Sequence, residues 1–199
     1  MKARANSFFI LADQYSETAK LLLETLIDNG NSNVGIGNSY EEAYKKMNQN
    51  VKKSDLFLFI PAIFNCLQST ELFIKGLLIL KDIEFEKIHD AEKLLSIISN
   101  EYGSESEVSN ALNSFYKEQI SIIAKNKELN KIESSHDLYM SLRYPEIYIK
   151  SKDNKNKEKV KIDYTPLMYN RFDEMVQFDS LLQQLLYVKN AVLKVYHSE

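Results

Sequence analysis

Tryptophan is absent from the 199 residues, cysteine occurs once, and histidine and proline occur three times each. The lone Cys66 excludes an intramolecular disulfide and a zinc cage built on cysteines, and it fits a reducing, cytoplasmic compartment. The three histidines have no metal-ligand spacing, so no metal site is expected. Only five glycines punctuate the chain. The stretch GNSNVGIGNS that holds three of them lacks the Lys-Ser or Lys-Thr of a phosphate-binding P-loop. No cofactor is implied, and the scarcity of breakers favours long helices.

Arginine is limited to Arg4, Arg143 and Arg171, and the formal charge of -3 provides no global field for nucleic acid. Any RNA contact must then rest on a local basic patch. The N-terminal MKARANSFFILADQYSET is interrupted by Asp13, Gln14 and Glu17 before it reaches signal-peptide length. No run reaches the ~20 apolar residues of a membrane span, so the expectation is a cytoplasmic protein without membrane contact. The length suits one domain over residues 1–199.

What is present is helical periodicity. Phe8, Leu11, Ala12, Tyr15, Ala19, Leu22, Leu23 and Leu26 mark one face of a helix that Asn29-Gly30 should end. Ser39 followed by Glu42 reads as a capping box opening a short helix through Met47. The most apolar stretch, SDLFLFIPAIFNCLQSTELFIKGLLILKDIEF, should be the buried central helix, with Pro61 in its first turn after a turn or short helical piece. Asp90 is placed to cap a helix carrying Leu94, Leu95, Ile97 and Ile98, which Gly103 closes. A further helix is expected over residues 105–127. The last, with Phe178, Leu181, Leu185, Val188, Val192 and Val195 and a second row at Leu182, Leu186 and Leu193, has more apolar face than a surface helix needs.

Between these helices EIYIK and KVKIDY alternate apolar and polar residues with period two around SKDNKNKE. A β-hairpin insertion over residues 146–164 with a mobile basic tip is the expectation. Lys150, Lys152, Lys155 and Lys157 make it a candidate nucleic-acid contact, although lysines at such a tip are more often simply solvated.

Glu71 and Lys75 fall beside the apolar face of the central helix. Burying either charge alone is costly, and at i and i+4 they can pair with each other. An internal ion pair is the favoured reading; a nucleotide-binding role is the alternative. His89 and Asp90 carry the same two readings, a capped turn or a nucleotide contact.

The stretch PAIFNCLQSTELFIKGLLILKDIEFEKIHDAEKLL resembles the HEPN family of helical-bundle domains through Glu71, Lys75, Leu78, His89, Asp90, Leu94 and Leu95. The resemblance implies an all-α, up-and-down bundle of four to five long helices, here with the small inserted β-hairpin, and commonly a homodimer. It implies a protein of toxin-antitoxin, abortive-infection or antiviral defence type acting on RNA or translation, with RNA, a nucleotide, or a phage or antitoxin protein as partner. Many members are metal-independent ribonucleases whose active site is an arginine followed after four to six residues by a histidine.

That motif is not intact here. No histidine follows Arg4 closely, none follows Arg171 before His197, and His136 precedes Arg143. After four intervening residues Arg143 is followed by Tyr148, a poor general base at neutral pH with its pKa near 10. Arg143 and Tyr148 are nonetheless the candidate catalytic pair, lining a dimer groove for phosphate. In the other reading SLRYP ends a helix and Arg143 pairs with a nearby acid. A noncatalytic HEPN module that binds a nucleotide or a protein is the competing function.

Overall fold

A computed structural model describes residues 2–30, 34–85, 90–124, 137, 140–143, 146–150, 157–161 and 178–199. Six helices occur among them: α1 (Lys2–Asp28), α2 (Tyr40–Val51), α3 (Asp55–Leu80), α4 (Ala91–Tyr102), α5 (Glu107–Ala124) and α6 (Phe178–Ser198). The fold expectation is corrected on two counts. Among the described residues there are six helices where four to five long ones were expected, two of them only 12 residues long, and the hydrophobic core there is built from helices with no sheet layer. Glu146–Lys150 and Lys157–Lys161 pair antiparallel in a ladder of their own. A two-stranded ribbon has too little apolar surface to make a layer by itself, so the fold class is set by the helices. The expected tip, residues 151–156, and the end of the insertion, residues 162–164, lie outside the described residues.

Helix α3 is apolar nearly all round because it is the central element, in contact with α1, α4, α5 and α6. The segment Phe57–Leu80 is long and apolar enough to cross a membrane by length and composition, which corrects the expectation that no run reaches that length; 61% of its window is buried inside the bundle. Its main partner is α1, whose inward residues Ala5, Ala12, Ser16 and Ala19 are small and fully buried. Small side chains let two helix axes approach closely. At the same seam a Cβ on Gly76 would lie 2.6 Å from the Phe9 ring, so glycine is what admits that ring.

The helix ends follow local chemistry. Gly30 adopts φ +58 and its N–H bonds the Ile27 carbonyl at 2.9 Å, closing α1 as its sequence implies. Ser39 accepts the Glu42 N–H at 3.2 Å, while the Glu42 carboxylate accepts from the Asn38 N–H at 2.9 Å, one residue earlier than in an ordinary capping box. Helix α2 runs on to Val51, beyond the expected Met47. Pro61 also departs from expectation. It lies inside α3, which starts six residues earlier, so the carbonyl of Phe57 loses its helical donor. Burial of this helix on several sides outweighs one lost hydrogen bond.

Helix α6 buries Phe178, Leu181, Leu182, Leu185, Val188, Ala191 and Val192 against α5, α1 and α3. Leu193 of its second row remains 48% exposed.

Candidate functional site

Arg143 is positioned by the residues before it. Ser141 and Leu142 are buried, and the Arg143 N–H donates to the Met140 carbonyl at 3.1 Å, so the turn is fastened from inside and the arginine is delivered to the surface. Its guanidinium carbon lies 5.9 Å from the centroid of the Phe64 ring on α3. Phe64 in turn meets Tyr15 of α1 edge to face at 6.5 Å. An exposed, always-charged planar fork resting on an aromatic face is suited to a phosphate oxygen pair.

Tyr148 lies five residues further on in the first strand, where the register sets it opposite Lys159. The same register sets Lys150 opposite Lys157, so two of the predicted basic residues are brought side by side at one end of the ladder. Lys152, Lys155 and His89 lie outside the described residues.

Glu71 and Lys75 are together, as their spacing requires. Their side chains retain only 8% and 9% exposure, and Lys75 Nζ is 2.5 Å from Glu71 Oε1. The same ammonium lies 5.8 Å from the centroid of Phe85. The two opposite charges are desolvated against each other one turn apart within α3, and neither is presented to a ligand from solvent. Asp90 caps α4, accepting the Lys93 N–H at 3.3 Å, with Lys93 Nζ 3.7 Å from its other oxygen.

A second buried polar group between α3 and α5 includes a residue that sequence reasoning missed. Gln119 on α5 is fully buried and donates from Nε2 to Thr70 Oγ1 at 3.2 Å. Thr70 and Ser69 both donate to the Cys66 carbonyl at 2.9 Å. Gln119 Oε1 has no hydrogen-bond partner among the described residues. The signal was available: Gln119 interrupts the inward row Leu112, Phe115, Ile122 and Ile123, where a polar residue must find a buried partner.

Cys66 is fully buried, and burial alone pushes its thiol pKa far above the ordinary range. It is packing, with no nucleophilic character. Among the described residues no group of three or more His, Cys, Asp or Glu could hold a metal.

Two concavities lie elsewhere. One of about 610 Å³ separates α1 from α6 and is lined in part by Phe9, Asp13, Phe73, Lys189 and Tyr196. One of about 440 Å³ separates α4 from α5 and includes Ser96, Ser99, Asn113 and Tyr116. In the first, burial works against the Lys189 ammonium, but the carboxylates of Asp13, at 2.7 Å, and Glu17 outweigh it and hold its pKa above that of an ordinary lysine. None of the predicted site residues is among the described lining of either concavity.

No curated protein and no solved structure matches the chain. A family model described as "HEPN domain" matches residues 39–162, more than half of its length and the span that holds α2 to α5, Arg143 and both strands.

Proposed function

The chain belongs to the HEPN family, and on that premise we propose that it is a cytoplasmic defence or toxin-type protein of a bacterium, acting on RNA as a homodimer. HEPN domains are found in toxin and defence proteins that act on RNA, and they commonly dimerise. The observation that carries the reading is Arg143, exposed and seated on Phe64 at 5.9 Å. In a dimer groove two such guanidiniums bind the phosphate backbone, with Tyr148 supplying a hydroxyl donor and Lys150, Lys152, Lys155 and Lys157 adding positive charge. Abortive infection against phage is the setting that fits a latent activity of this kind.

Without a histidine after Arg143, the chemical step lacks a group that exchanges protons near neutral pH. That specific absence favours a second reading, in which the domain binds a nucleotide or a partner protein without cleaving. Glu71 and Lys75 pair with each other in either case.

Controlled expression in a bacterial host separates the two. Growth arrest with loss of intact RNA, relieved by Arg143→Ala and preserved in Glu71→Met/Lys75→Met, is the expected result. Harmless overexpression together with intact total RNA after incubation with purified protein would sink the RNA-cleaving reading and leave the binding module.

A further inference from the structure

Helix α2 buries none of its residues. The segment before it lies against its backbone, and two glycines permit the approach: a Cβ on Gly35 would lie 2.0 Å from the Ala43 carbonyl oxygen, and one on Gly37 would lie 2.6 Å from the Ala43 nitrogen. Asn50 closes the far end, donating from Nδ2 to the Val34 carbonyl at 2.7 Å. With Gly35 and Gly37 turned inward, the residues that alternate with them face solvent. Val34 is 59% and Ile36 82% exposed. On α2 itself Tyr40 and Tyr44 are 82% and 52% exposed, their rings stacked with centroids 6.2 Å apart and planes 12° apart. Four large apolar side chains within residues 34–44 thus stay outside the core, which marks an interaction surface.

We propose that this surface is the homodimer interface, with α2 of one copy packed antiparallel on α2 of the second about a two-fold axis through the middle of the helix. The charge pattern selects this occupant. Helix α2 opens with Glu41 and Glu42 and is followed at its far end by Lys52 and Lys53. A two-fold axis reverses that polarity in the second copy, so Glu41 meets the second copy's Lys52 on both sides of the axis. Tyr40 then lies near the second copy's Val51, and Tyr44 near its Met47. Area agrees with this. At about 150–250 Å² for each aromatic side chain buried, the four tyrosines of two copies supply several hundred Å². The exposed Val34 and Ile36 of both copies bring the total toward the roughly 1,200 Å² of a small stable interface. A nucleic acid fits poorly, because Glu41 and Glu42 stand next to Tyr40 where a stacked base would bring its phosphates.

This inference takes from the proposed function only that two copies associate, not the Arg143 groove or its RNA chemistry: a monomer would sink both, whereas a dimer that survives the substitutions below sinks this inference alone. Sedimentation equilibrium of the full chain should give a dimer, and Tyr40→Ser/Tyr44→Ser should weaken it at least about tenfold, as truncation of buried aromatic anchors does. Leu193→Ser on α6 should leave the dimer intact. Glu41→Lys and Lys52→Glu should each weaken self-association, while an equimolar mixture of the two variants should recover a dimer containing one of each. A wild type that stays monomeric at about 100 µM would overturn the proposal. So would a dimer that survives the tyrosine pair, or charge variants that fail to associate on mixing.

Discussion

The Arg143 guanidinium carbon stands 5.9 Å from the centre of the Phe64 ring, so an aromatic residue on the central helix supports the most suggestive cation of the chain. An exposed cation–π contact is worth about 0.5–1 kcal/mol. Phe64→Leu should therefore reduce RNA binding or toxicity about two- to fivefold through Arg143, while Arg143→Ala removes the effect. Arg143→Lys should rescue only in part, because an ammonium cannot present the planar fork. Titration of a single-stranded RNA oligonucleotide by fluorescence anisotropy reads all three variants.

The buried Glu71–Lys75 pair makes a prediction about stability alone. Lys75→Met leaves a carboxylate in the core and should cost about 3–5 kcal/mol in urea unfolding. Glu71→Met/Lys75→Met removes both charges and should be far less damaging. A double variant as unstable as the single one would mean that the charges also serve a partner beyond each other.

Cys66 is a probe of opening. Its thiol is fully buried and its pKa lies far above that of a free cysteine. Alkylation by iodoacetamide at neutral pH should be slow in the native protein and should rise with urea in step with unfolding measured by circular dichroism. Fast labelling of the native protein would mean that α3 opens locally.

At the start of α2 the effect is acidic. The bond from Lys46, reinforced by the Asn38 N–H, holds the Glu42 carboxyl below the ordinary glutamate range. A folded pKa below the unfolded one contributes stability that is present above about 4.3, the ordinary glutamate value, and is lost as pH falls through the folded value. The Asn38 amide resonance should shift with a midpoint below that of a free glutamate. Glu42→Gln should abolish the titration without moving the helix.

Features that depend on near neighbours were legible in the sequence. Asp90 reaches the Lys93 N–H three residues on, Gly30 ends α1 through its own backbone, and Glu71 finds Lys75 one turn away. The rest depends on partners distant along the chain. Gln119 reads as an interruption in an apolar row until Thr70 of α3 is brought against it. Pro61 looks like a helix start because the local rule penalises it inside, and only the surrounding helices make the interior position affordable. The seat of Arg143 on Phe64 has no local signal at all, and the outward set of Val34 and Ile36 emerges only once Gly35 and Gly37 are laid against α2.

Helix α1 lies entirely before the residues that the family model matches, yet it is the principal cover of α3, which lies within them. The inherited segment and the cooperative folding unit therefore have different borders. A fragment trimmed to residues 39–162 would uncover the α3 surface that Ala12, Ala19, Leu23 and Leu26 now keep dry. It should aggregate when expressed alone and return to solution when α1 and α6 are supplied with it.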